Sequence, residues 1–196
     1  MDFKHQVTAP AGLAGIDVDA LVLVVGDRPD TGLAAPLAAL IAGAVSEGDL
    51  VLKKGKLLYL YQPARVAARR VAVAVAADPS LKAFKAAVAL GLGALKSSGA
   101  KTVAIAAPGT VLGAAHAEAA VVAAADACYL YTHTKPSATP GWMPSAITLL
   151  CQKSEAKAVQ QGLRQGAAVA AGVTMAREFG NRPGNACTPT WLGQQA

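Results

Sequence analysis

The side chains that could do chemistry are few in this sequence, and their spacing closes off most reactions. His116-Ala117-Glu118 has the His-x-Glu form of a zinc-deaminase half-site, in which the histidine holds the metal and the glutamate moves the proton. Such a site also needs a downstream Pro-Cys-x-x-Cys, and only the single Cys128 follows. The pair therefore reads as two polar residues on a helix surface. Cys128 and His133 stand five residues apart at a predicted helix end, but two donors do not hold zinc, which takes four in structural sites. They read as a buried thiol beside a loop histidine. His5, on an early predicted strand, has no identifiable partner.

Lys53-Lys54-Gly55-Lys56 lies near glycine, but Gly48 and Gly55 are wrongly spaced for a phosphate-binding Gly-x-x-x-x-Gly-Lys, and no Ser or Thr follows Lys56. It reads as a charged hairpin tip. No Gly-x-Ser-x-Gly elbow occurs, so a serine hydrolase has no nucleophile signal. The best anion-site candidate is Pro108-Gly109-Thr110-Val111-Leu112-Gly113, because a glycine-bearing loop between strand and helix points free N–H groups at whatever sits there. A loop of this kind more often only turns the chain. No residue is assigned a catalytic, cofactor-binding or metal-binding role, and no cofactor is expected in the chain itself.

These residues must be positioned by a scaffold of 196 residues, enough for one domain with a substantial core. A hydrophobic share of 54% against 15% charged residues describes a well-buried, alanine- and valine-rich protein. The longest apolar run, Leu33 to Val45, contains Pro36 and Gly43 and is shorter than the roughly 18 residues of a membrane span. Met1-Asp2-Phe3-Lys4-His5-Gln6 lacks a secretory leader. The three widely spaced cysteines suit reduced thiols, so a cytoplasmic protein is expected. The formal charge of +6 permits attraction to polyanions without naming one.

Phe3 to Val7, Ala20 to Val25, Arg70 to Val75, Thr102 to Ala106 and Ala146 to Leu150 read as strands. Leu50-Val51-Leu52 and Leu57 to Tyr61 are expected to pair antiparallel across the lysine-rich turn. Helices are expected over Thr31 to Val45, ended by Gly48; after Asp78-Pro79, capped by the aspartate; from Ala114 to about Leu130; and from Ser154, as cap, to about Phe179. Phe84, Val88, Leu92 and Leu95 fall on one inner face. Val159, Leu163, Ala170 and Val173 fall on another. The alternation predicts an α/β fold, a three-layer domain with a mixed, mostly parallel sheet between helices.

Near the C-terminus, Pro183 and Gly184 must stop the long helix, and Thr188-Pro189 then offers a cap and a first helical residue for another. The run Met175-Ala176-Arg177-Glu178-Phe179-Gly180-Asn181-Arg182-Pro183-Gly184-Asn185-Ala186-Cys187-Thr188-Pro189-Thr190-Trp191-Leu192 resembles the joint between the two domains of the leucyl (cytosol) aminopeptidases. There an arginine-bearing helix ends in Asn-x-Pro-x-Asn before a Cys-Thr-Pro-like turn and the first catalytic-domain helix. The resemblance implies an amino-terminal α/β domain over 1–153, a connecting helix over 154–180, and a joint with the start of the catalytic domain over 181–196. It also implies a macro-domain-like layout. The glycine run of macro domains is missing at Thr31-Gly32-Leu33-Ala34-Ala35.

What the family implies for the parent is hydrolysis of N-terminal residues, preferentially leucine, from peptide substrates. The agents would be two manganese or zinc ions in a cytoplasmic homohexamer. The Lys-Gly-x-Thr-Phe-Asp-x-Gly-Gly and Asn-Thr-Asp-Ala-Glu-Gly-Arg segments that hold those metals do not occur here. A non-catalytic domain is expected. The rival expectation is a binding module, either for weak non-specific DNA binding through Lys53, Lys54, Lys56, Arg69 and Arg70 or as a relic ADP-ribose binder. The tail from Asn181 is expected to leave the globule as an arm or to pack on another copy.

Overall fold

The computed structural model describes residues 1–28, 32–76, 78–134 and 137–195. Six strands form one sheet in the order β1-β6-β5-β2-β4-β3, where β1 is Asp2–Val7, β2 Ala20–Val25, β3 Leu57–Tyr61, β4 Arg70–Val75, β5 Thr102–Ala106 and β6 Ala146–Cys151. All neighbours are parallel except β3, which runs antiparallel to β4 along the edge. Every residue of β2 is buried, as a central strand covered on both faces requires.

Alternate side chains go to opposite layers. Val22, Val24, Ile105 and Leu149 face one core with α2 (Leu81–Leu95), α3 (Ala114–Cys128) and α4 (Ala156–Asn181). Leu21, Leu23, Val25 and Val73 face the other with Leu37 of α1 (Ala35–Ser46) and Leu13 of a short 3-10 helix, Pro10–Gly15. The mixed three-layer α/β architecture is thus the one expected. Phe84, Val88, Leu92 and Leu95 are all buried. Gly48 follows the end of α1 with φ 84°, the left-handed closure that glycine permits.

Several local expectations give way to the structure. Leu50 to Leu52 forms no strand; Leu50 plugs the second core while Val51 is exposed. The antiparallel partner of β3 is β4 instead, with Leu57 opposite Ala74 and Tyr61 opposite Arg70. Ser80, not Asp78, caps α2: its hydroxyl accepts from the Ala83 N–H at 3.2 Å, while Asp78 accepts from the Ser80 N–H at 2.8 Å. Ser154 caps nothing, because α4 begins beyond Glu155. Val173 is 37% exposed rather than inward. Thr31, the expected start of α1, lies outside the described residues, and the helix begins at Ala35.

Two glycines set how closely α3 and α4 pack. A Cβ on Gly162 would run into the carbonyl of Ala114, and one on Gly166 would lie 2.8 Å from Val121 Cβ and 2.9 Å from Glu118 Cα. The bare backbone of α4 therefore lies directly on α3.

Candidate functional site

The anion-site candidate sits at the carboxyl end of β5. The Thr110 N–H donates to the Ala107 carbonyl at 3.1 Å, closing a turn with Gly109 at φ 79°. The loop's Leu112 N–H is already taken: it donates to Glu155 Oε1 at 2.9 Å, and the Gln152 N–H donates to Oε2 at 2.7 Å. Glu155 is 6% exposed, the one buried charged or polar residue among those described. It joins the β5–α3 and β6–α4 connections.

His116 lies in the first turn of α3. Its Nδ1 accepts from the Gly113 N–H at 3.3 Å, which places the ring hydrogen on Nε2, and the ring meets Phe84 edge-on at 5.1 Å. It is therefore tied to its own helix start. Cys128 is buried while His133 is exposed, so no thiol–imidazole donor pair forms. Burial pushes the Cys128 thiol up, and burial followed by the charge of Glu155 does the same to Cys151.

Two further acidic side chains bind within the chain. Asp19 Oδ2 accepts from the Thr102 N–H, the Lys101 N–H and the Thr102 hydroxyl, each at 3.0 Å. The Thr102 amide first, then that of Lys101, holds this carboxyl below its ordinary range. Asp126 bridges Arg177 at 2.7 Å and Lys85 at 4.0 Å. No three His, Cys, Asp or Glu side chains converge among the described residues. This donor set does not fit a two-metal centre.

The five basic residues fall into two groups along the β3–β4 edge. Lys53, Lys54 and Lys56 precede β3 at the carboxyl end of β4, where Val75 N–H donates to the Lys56 carbonyl at 3.0 Å. Arg69 and Arg70 stand at the opposite end of β4, roughly 17 Å away at the rise of a strand. Arg70 is engaged there, donating to the Asp19 carbonyl at 3.4 Å and lying over the Tyr61 ring at 5.6 Å.

The most elaborated polar region is the end of α4. Besides its bridge to Asp126, Arg177 lies over the Tyr129 ring at 5.3 Å. Four residues on, Asn181 Nδ2 donates to the Tyr129 hydroxyl at 2.9 Å. Both side chains pin the last turns of α4 to the end of α3. The helix stops at Asn181, before Pro183. After the bend, Thr188 Oγ1 accepts from the Trp191 N–H at 3.2 Å and caps α5, Pro189–Gln195, as its sequence predicts. Trp191 then turns back, edge-on to Phe179 at 5.1 Å and beneath Arg182 at 4.7 Å. Within the chain the tail thus closes onto the tip of α4, since the indole has two partners there; Leu192 remains exposed.

The chain as a whole has counterparts among known proteins. Residues 21–137 match the model of the cytosol aminopeptidase family, N-terminal domain. The chain belongs to the cytosol aminopeptidase family. A probable cytosol aminopeptidase of Methylibium petroleiphilum is 51% identical over the whole chain, which spans 40% of that relative. One from Variovorax paradoxus is 41% identical, again over the whole chain and 38% of the relative. The chain therefore spans about two fifths of the length of these family members. A mutant tomato leucine aminopeptidase superposes with a TM-score of 0.77 at 20% identity, covering 99% of this chain and 41% of its own. The bottromycin maturation enzyme BotP gives 0.64 at 18%, covering 91% and 36%. Both share the fold. Among the described residues no helix is long and apolar enough to cross a membrane.

Asp19, Asp126 and Glu155 had no role in the sequence reading.

Proposed function

We propose that this chain is the non-catalytic amino-terminal domain of a two-metal leucyl aminopeptidase. The parent would act in the cytoplasm as a homohexamer, removing N-terminal residues, leucine by preference, from peptides. The division into a 1–153 domain, a 154–180 connecting helix and a 181–196 joint belongs to the same reading. The observation that carries it is the full-length match to only 40% of the M. petroleiphilum relative, with the Arg177–Asn181 joint fixed at the end of α4. Two manganese or zinc ions in the remaining part would supply the Lewis acid and the bound hydroxide of such a hydrolase. The carboxylates of Asp19, Glu155 and Asp126 are engaged by the chain's own amides and cations. Its contribution is architectural: it holds the joint and shapes the approach to sites located elsewhere.

The test is direct. The purified chain, given leucine p-nitroanilide with manganese, zinc or cobalt, should show no turnover, while the full-length M. petroleiphilum relative hydrolyses it under the same conditions. Metal-dependent turnover by the chain alone that survives repurification refutes the proposal.

A further inference from the structure

A carboxylate removed from water must recover its lost hydration from fixed donors. Glu155, at 6% exposure, recovers it from two backbone amides. The donors come from different connections, Leu112 after β5 and Gln152 after β6, and meet at the carboxyl end of a parallel sheet. This is the edge where α/β folds take their ligands, and converging main-chain N–H groups are a means of holding an anion. Around the carboxylate, Thr8, Pro10, Leu13, Leu112 and Cys151 leave only about 20 Å³ of free space, about one water's room. The space that would admit an anion is filled from within.

We propose that the Leu112 and Gln152 amides form an oxyanion site of which the Glu155 carboxylate is the built-in occupant, and that a small free carboxylate or oxyanion takes its place when that side chain is removed. In the native chain the site is always loaded, because its ligand is covalently attached. The consequence is mechanical: the connections that lead into α3 and α4 are clamped at one point, and no external anion competes.

Glu155→Ala removes the equivalent of acetate. Its thermal unfolding would be followed in acetate, formate and phosphate against chloride at matched ionic strength, with the Leu112 and Gln152 amides monitored by NMR. For an affinity of about 10 mM, 100 mM acetate raises the folded-to-unfolded ratio about 11-fold. Both amides should shift saturably with acetate or formate, and phosphate, larger and tetrahedral, should bind less well. Glu155→Gln keeps the side-chain volume and should fold, with faster exchange at both amides and no response to acetate. The proposal is overturned if folded Glu155→Ala responds to acetate no more than wild type, if chloride acts equally, or if Glu155→Gln responds like the alanine variant. If Glu155→Ala is unfolded in chloride, acetate or formate must restore its native spectrum. Failure of both anions to do so also overturns it.

Discussion

Replacing Gly162 by alanine puts a methyl group where the backbone of Ala114 already lies. The added Cβ would stand 2.7 Å from both the carbonyl carbon and Cα of Ala114 and closer still to its oxygen. These are main-chain atoms, so no rotamer change relieves the overlap. Recovering ordinary contact requires α3 and α4 to part by on the order of 1 Å, which costs dispersion along the whole crossing. Overpacking of this kind costs about 3 kcal/mol at its upper end, against about 1 kcal/mol gained in helix propensity. The net loss of about 2 kcal/mol corresponds to a melting point lower by roughly 4–8 °C in a chain of this size. Gly172, on the same helix, has nothing within 4 Å of its would-be Cβ. Gly172→Ala should therefore gain about 0.5–1 kcal/mol and melt about 2 °C higher. Thermal denaturation by far-UV circular dichroism at neutral pH compares the two. A Gly162→Ala protein that melts with or above Gly172→Ala would show that the helices do not touch through bare backbone.

The depressed Asp19 carboxyl makes the folded state favour its charged form, so the stability it contributes is present above about pH 4 and fades as pH falls through the lower folded value. Asp19→Asn should be less stable than wild type at pH 7, with the gap closing on acidification; a gap unchanged down to pH 2 refutes this. Cys128 and Cys151 are buried with raised thiols, whereas Cys187 is half-exposed, so Ellman's reagent should titrate one thiol natively and three after denaturation. Two fast equivalents in the native protein would contradict the burial. Trp191→Ala removes the contacts to Phe179 and Arg182. Amide hydrogen exchange over 184–195 should then be faster than in wild type, with the melting point unchanged within about 1 °C; equal exchange rates would show that the indole holds nothing.

The central strands were legible because Ala20 to Val25 and Arg70 to Val75 are continuous apolar runs, and a sheet buried on both faces demands that pattern. The hairpin was misplaced by one connection. Leu50 satisfies the second core without entering a ladder, and the free edge available to β3 belongs to β4. That choice depends on which strand ends up outermost, which no local pattern encodes. The stop of α4 and the Thr188 cap were legible, since Pro183, Thr188 and Pro189 act through adjacent backbone alone. Glu155 was not, because Leu112 is 43 positions away and the sequence between them contains a helix and a strand. Asp126 meets Arg177 only once α3 and α4 have crossed, and their crossing is set by Gly162 and Gly166.

A pocket that recognises a small molecule needs polar groups left free to converge on it. Here Glu155 occupies the amides at the carboxyl edge, Asp19 those at the start of β5, and Trp142 Nε1 donates to the Ala100 carbonyl at 2.9 Å. These groups stiffen the scaffold, and α4 is the element that gains from it. At 26 residues it is about 39 Å long. Its near half is seated on α3 through Gly162 and Gly166, and its far half, where Val169, Val173 and Met175 are exposed, is held at the tip by Asp126 and Tyr129. A helix fixed at both ends cannot swing about the middle, so the direction of the Pro183 bend is determined by the domain. Asp126→Asn should release the tip while leaving the glycine crossing intact, and exchange should then quicken from 174 to 181 but not from 159 to 166. If both stretches quicken together, α4 is held as one piece and the two anchors are not independent.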